Sequence, residues 1–305
     1  MQLKTRTPRD FINALLSKKS IHPAPFAAFK QAVQDFVQAA KNLHANGQTE
    51  PNMVTNALKP FIDSLGHTSS PHSQRGQSGI DLTIMSGGKP AVIIEAKRPG
   101  SRDMPTEQDA NKKALHEAIY YFMHEREAGN DGLTSVVVTD FDNWFVFDAK
   151  DFERLFWDNA TIQKIYQTHK NPNLLSNTTA DFYQALETAL PKQYSDLVSR
   201  EVIECAHFNL RLTYSDKELA AIYKLLSADS LLKVFNPNDA NSLNREFYNE
   251  LLYILGLEET KQGGKKLINR ALTPQAGSLY ENTSDKLAQY YKTNDFEAVI
   301  KLLII

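Results

Sequence analysis

The stretch GIDLTIMSGGKPAVIIEAKRPG, residues 79–100, holds three side chains of the types that handle a hydrolytic water: Asp81, Glu95 and Lys97. Ala91-Val92-Ile93-Ile94 is a β-forming apolar run, and Glu95 and Lys97 follow it two residues apart. On a strand they leave by one face while Val92, Ile94 and Ala96 leave by the other. A strand beginning near Asp81 precedes this one across Gly87-Gly88, and the turn decides where Asp81 points. A three-residue loop, Gly87-Gly88-Lys89, with one glycine left-handed, sets Ser86 against Pro90 and Asp81 against Glu95. A two-residue Gly87-Gly88 loop sets Asp81 against Ile94 and puts the two carboxylates on opposite faces. In the first arrangement they stand about 5 Å apart at Cβ. Anions that close oppose each other's ionisation unless a cation lies between them. Two carboxylates plus water suit Mg²⁺ better than zinc, and Mg²⁺ keeps positions open for phosphate oxygens. Lys97 on the same face can orient or help deprotonate the attacking water and offset charge building on a phosphate.

Asp81 followed by Glu95-Ala96-Lys97 at the end of an apolar strand resembles the PD-(D/E)xK nuclease superfamily, with Ile80 where proline usually stands. The resemblance implies an α/β fold, a restriction-endonuclease-like mixed sheet flanked by helices. It also implies Mg²⁺-dependent hydrolysis of phosphodiesters in double-stranded DNA, with Mn²⁺ able to substitute. Asp81, Glu95 and the Ala96 carbonyl would hold the ion, and Lys97 would be the catalytic lysine. An E-x-K tripeptide alone is common by chance. Glu259-Thr-Lys261 also matches, but follows an expected helix with no strand beneath it. Asp148-Ala-Lys150 closes the run WFVFD, yet Asp140 and Asp142 lie too close upstream for a hairpin and spacer, and its position suits a helix cap.

Further residues gather around this motif. On the helix after the hairpin, ALHEAIYYF gives Glu117-x-x-x-Tyr121, similar to the Q-x-x-x-Y motif of restriction-type relatives, with Glu for Gln. Glu50 occupies the place where related nucleases carry an acidic residue before the Asp strand; it also suits a helix N-terminus in its own right. Arg75 and Arg98 flank the motif, and Lys112 and Lys113 lie at polar positions of the following helix; all four are candidates to contact DNA phosphate, and all four also fit a solvated surface.

The elements that must carry these residues follow from periodicity. Phe26, Phe29, Val33, Phe36, Val37, Ala40 and Leu43 have helical spacing over 23–46, as do Val54, Leu58, Phe61 and Ile62 over 52–65. Thr106-Glu-Gln-Asp109 matches a capping box and predicts a helix of about five turns. LTSVVVTD (133–140) and WFVFD (144–148) predict a second strand pair. Beyond Lys150 the strand signals stop, so an endonuclease domain over 1–172 followed by an all-helical connector over 173–305 is expected. Ser215-Asp-Lys-Glu218 heads one of its helices, and Gly256 ends another.

The helical stretches, FNLRLTYSDKELAAIYKLLSADSLLKVF and LNREFYNELLYILGLEE among them, look like the region between nuclease and adenine-N6 methyltransferase in type IIG restriction-modification enzymes. That resemblance implies downstream methyltransferase and specificity domains in the same polypeptide, with S-adenosylmethionine used there. The apolar ending FEAVIKLLII agrees with a chain that continues. Neither N-P-P-Y nor G-x-x-x-x-G-K-[ST] occurs here. Cys205 is the one cysteine, which excludes an internal disulfide and a thiolate zinc cluster and suggests a helix-packing residue. No run approaches ~18 apolar residues, and a cytoplasmic protein is expected. The net charge of -2 gives no overall pull toward nucleic acid, so a DNA-binding surface must be a local patch. Lys261, Lys265, Lys266 and Arg270 form one such cluster.

Overall fold

The computed structural model describes residues 3–72, 79–170, 179–194, 202–235, 245–262, 265–270, 286 and 289–292. The chain divides into two compact units, Met1–Phe235 and Asn236–Ile305. Arg75 and the endings of both proposed domains lie outside the described residues, and so do the side chains of the basic cluster from Lys261 to Arg270.

The first unit opens with β1 (Lys4–Arg6) and the short helices α1 (Pro8–Phe11) and α2 (Ala14–Lys18). In α3 (Pro23–Ala45) the buried stripe is Phe29, Val33, Phe36 and Ala40, the spacing expected of one helical face. Residues 50–64 are one helical run in three parts: α4 (Glu50–Met53), a π-helical turn Val54–Leu58 and α5 (Lys59–Ser64). Pro60 has no N–H to donate to a carbonyl behind it, and the wider turn stands just before it. Then come β2 (Ser69–His72), β3 (Ile80–Ser86), β4 (Lys89–Ala96), α6 (Lys113–Glu127), β5 (Ser135–Thr139) and β6 (Asn143–Asp148). The unit ends with α7 (Ala149–Phe152), α8 (Ala160–Lys170), α9 (Thr179–Gln193), β7 (Glu204–Asn209), α10 (Asp216–Leu226) and α11 (Ala228–Leu231).

The seven strands form one mixed sheet in the order β1-β7-β6-β5-β4-β3-β2, in which β4–β5 and β1–β7 are parallel. Helices cover both faces. Ile93, Val136, Val138, Phe145, Phe147 and Cys205 pack with α6, α8 and α9; Leu82, Ile84, Val92, Ile94, Val137, Trp144, Val146 and Phe208 pack with α3, α5 and α10. A sheet buried on both faces needs unbroken apolar runs, which is what AVII and SVVV supply. The mixed α/β class with helices flanking a mixed sheet is therefore as expected.

Several expectations are corrected. The region after residue 172 is not all helical. β7 is an interior strand, parallel to β1 on one side and antiparallel to β6 on the other, so the compact unit extends to Phe235 and absorbs much of the expected connector. Cys205 sits in this strand and not on a helix. In the second unit α12 (Arg245–Ile254) ends at Gly256, left-handed at φ 68°, as foreseen, but β8 (Leu257–Gln262) and β9 (Lys265–Arg270) then form an antiparallel hairpin. Glu259-Thr-Lys261 therefore lies on a strand, although one outside the main sheet. Thr106 does accept a hydrogen bond from the Asp109 N–H at 3.0 Å, but the bond closes a turn, and α6 begins only at Lys113. Asp148 caps α7 through the Lys150 N–H, as expected of its position.

Candidate active site

The hairpin between β3 and β4 settles the two turn arrangements by combining them. Ser86 pairs with Lys89 around a two-residue Gly87-Gly88 turn in which both glycines are left-handed, φ 58° and 81°. Left to itself that turn would set Asp81 against Ile94. The register shifts between Met85↔Pro90 and Ile84↔Val92, so Ala91 is a bulged residue and Leu82 pairs with Ile94. Continued outward, this register sets Asp81 beside Glu95. Pro90 cannot donate to a ladder, which favours a bulge at this point. The displaced carbonyls are satisfied from the other side: Asn130 Nδ2 donates to Pro90 O at 2.9 Å and Thr134 N to Ala91 O at 2.8 Å.

At the end of β4, the Lys97 N–H donates to Thr139 O at 2.8 Å and extends the ladder with β5. The Ala96 N–H donates to Asp81 Oδ2 at 2.9 Å, tying the two strands at the motif itself. Glu95 and Lys97 project toward α6 and are 3% and 7% exposed. On β4 the chemistry face of the hairpin is thus buried like its apolar face, while Asp81 on β3 is half-buried. Lys97 Nζ lies 2.5 Å from Glu95 Oε1, 2.8 Å from Glu117 Oε2 on α6, and 3.5 Å from Glu50 Oε1 at the start of α4. It also donates to Ala96 O at 3.0 Å. Glu50 Oε2 accepts from the Arg98 N–H at 3.1 Å, so this carboxylate spans the loop leaving β4.

Three carboxylates therefore surround one ammonium, and a fourth, Asp81, stands beside them on the Ala96 N–H. Burial, countered by the Ala96 N–H and Lys97, raises the Asp81 carboxyl to about 6, with Glu50 and Glu117 adding to the rise. Burial and the Asp81 charge push Glu95 well above the usual carboxylate range, and Glu117 pushes the same way. Burial disfavours the Lys97 ammonium, but Glu95 and Glu117 outweigh it and hold its pKa up. Glu95 Oε2 and Glu117 Oε2 are both buried without a well-aligned hydrogen-bond donor among the described residues, and the closeness of the two carboxyls, which favours sharing one proton, adds to the rise of Glu95. An orphaned carboxylate oxygen among under-compensated anions fits a hard divalent cation. Among the described residues, no three His, Cys, Asp or Glu side chains form a metal-holding group. The set expected from the motif is Asp81, Glu95 and the Ala96 carbonyl, and that carbonyl accepts from Lys97 Nζ.

The other expected residues are placed as follows. Tyr121 lies one turn beyond Glu117, buried in the core with its ring 5.8 Å from that of Tyr120. Lys113, half-exposed, is 3.6 Å from Glu117 Oε1, while Lys112 pairs with Asp109 at 2.6 Å. Arg98 is exposed beside the cluster. Tyr183 of α9 was not foreseen: burial raises its phenol, and the charges of Glu117, Tyr121 and Glu95 add to that, so it belongs to the electrostatic surroundings of the site. Its segment carried only a helical period, without a motif linking it to β4.

The DUF7149 family, a domain of unknown function, matches residues 6–239, and DUF7814, also a domain of unknown function, matches residues 240–302. No curated protein and no solved structure matches the chain. The two matched regions meet within a few residues of the boundary between the compact units. The first takes in the acidic cluster and nearly all of the sheet that holds it, and the chain belongs to the DUF7149 family.

Proposed function

We propose that this protein is a Mg²⁺-dependent DNA endonuclease of the PD-(D/E)xK kind. The observation that carries the reading is the convergence of Asp81, Glu95 and Lys97 on one buried face at the end of β4, through a bulge that reverses what the turn alone would give. Asp81, Glu95 and the Ala96 carbonyl would hold the ion, which when bound polarises a phosphoryl oxygen and lowers the pKa of a water. Lys97 holds a proton close to those ligands and offsets charge developing on the phosphate. Glu117 and Glu50 fix the Lys97 ammonium. Arg98 and Lys113 stand exposed beside the cluster, where a phosphodiester backbone can be gripped.

The wider proposal, that the chain forms part of a type IIG restriction-modification enzyme with methyltransferase and specificity domains beyond Ile305, rests on the sequence resemblance of stretches 208–235 and 243–259, which are helical only in part; the reading frame downstream tests it. A second reading, a non-catalytic DNA-binding or scaffold module, is favoured by one observation: Lys97 already bridges three carboxylates. A plasmid assay separates the two. With Mg²⁺ or Mn²⁺ the full chain is expected to nick or cut supercoiled double-stranded DNA, and Asp81→Ala, Glu95→Ala and Lys97→Ala each to reduce this by about 100-fold or more, with circular dichroism unchanged. Equal cleavage by all three variants, or none by the parent, refutes the nuclease.

A further inference from the structure

Lys97 Nζ stands against two of the three groups that would hold the ion, Glu95 Oε1 and Ala96 O, and at the same time against Glu117 Oε2, which belongs to no ligand set. Resting on the metal reading above, we propose that Lys97 is the resident cation of the metal-free centre, and that Glu117 is the positioning carboxylate that takes over its ammonium when a divalent ion enters.

The argument is one of exclusion. An ammonium and a divalent cation cannot share the same two oxygens, because like charges at that separation repel strongly in a buried site. Glu95 and the Ala96 carbonyl would hold the ion together with Asp81, and the ammonium would then have to give up Glu95 Oε1 and Ala96 O. Lys97 is 7% exposed, so water cannot replace what is lost. A buried charge stripped of its partner is costly. Two carboxylates outside the ligand set remain to it, Glu50 at 3.5 Å and the nearer Glu117, and Glu117 removes most of that cost. It is already in contact at 2.8 Å, is carried on the fifteen-residue helix α6, and is flanked at its other oxygen by Lys113 at 3.6 Å. A glutamine here would offer Lys97 an acceptor without the compensating charge.

The test is Mn²⁺ affinity of the full chain, measured by titration calorimetry at fixed pH and salt. Lys97→Met and Lys97→Gln remove the competitor, and each is expected to bind Mn²⁺ on the order of tenfold more tightly than the parent. Glu117→Gln alone is expected to bind on the order of tenfold more weakly, and to change little when combined with Lys97→Gln. A Glu117→Gln loss of the same size in both backgrounds means that Glu117 acts through its field alone, and overturns its positioning role. Lys97 variants that bind no more tightly than a parent that does bind overturn the resident cation while leaving the metal reading intact. Absence of binding in every variant removes both. Should the Lys97 variants fail to fold, the unsubstituted chain decides: its Lys97 ε-ammonium resonance, in lysine-¹⁵N-labelled protein, is expected to shift on addition of Mg²⁺, and an unmoved resonance sinks the proposal.

Discussion

Asp81 has a folded-state pKa of about 6 against an ordinary 3.8, with burial the largest cause. The native state therefore holds this proton more tightly than the unfolded chain does. The resulting stability is fully present below pH ~4 and is lost as pH rises through about 6. Above that, the ionised carboxylate sits in a place that disfavours its charge. Asp81→Asn mimics the protonated form, so in chelator at pH 8 it is expected to stabilise the protein by up to about 3 kcal/mol, with the difference vanishing near pH 4. Urea denaturation of parent and variant at both pH values checks this; a less stable variant at pH 8 contradicts the burial account. Saturating Mg²⁺ should stabilise the parent and leave Asp81→Asn nearly unmoved, because only a site that binds the ion gains from mass action. At this scale much was legible. Asp81, Glu95 and Lys97 could be picked by type and spacing, and Glu117 and Glu50 by their places on neighbouring elements. Tyr183 could not, because nothing in a local pattern tells which face of a distant helix will meet the end of β4.

The hairpin shows where element-level reading stops. Gly87-Gly88 announced the tight turn, but the facing of Asp81 depended on Ala91, a bulge whose only advance sign was Pro90. The two glycines are held at positive φ, and a Cβ at Gly87 would meet nothing within 4 Å, so substitution there tests backbone conformation without steric clash. Gly87→Val is expected to cost about 1–2 kcal/mol, since a β-branched residue is poorly tolerated in the left-handed region, while Gly87→Asn costs a few tenths. Thermal melts of the two variants distinguish this from a turn that merely needs small residues, in which case both would be destabilised alike. Long periodic elements were readable: α3, β5, β6 and the capped α10 fall where their patterns put them. β7 was not, although Ile203, Cys205 and Phe208 are buried, because Ala, Cys and His carry little β preference and the strand forms only by insertion between two partners. α6 starts later than the Thr106–Asp109 pattern suggests because a capping-type hydrogen bond also closes a turn.

At the scale of the whole molecule, the position of β7 decides what can fold alone. The boundary at residue 172 suggested by the end of the strand signals cuts between α8 and α9 and discards β7. A fragment ending there leaves β1 without the strand it pairs with, β7, and leaves β6 as a raw edge. It also uncovers both cores. Phe182, Leu186 and Leu190 of α9 pack on the α6 side, while Phe208 stacks on Trp144 at 5.9 Å on the other. Each large apolar side chain so lost removes about 1.5–3 kcal/mol, and a handful exceeds the stability of an ordinary domain. Residues 1–235 retain every strand of the sheet and both helical layers. The 1–235 fragment is therefore expected to be monomeric, to melt cooperatively and to keep the Mn²⁺ affinity of the full chain, whereas 1–172 aggregates or shows no cooperative transition. Size-exclusion chromatography with calorimetry on the two fragments reads this directly. A well-folded 1–172 would mean that β7 is an accessory to the sheet, and that Asp81 and Glu95 are held in register without it.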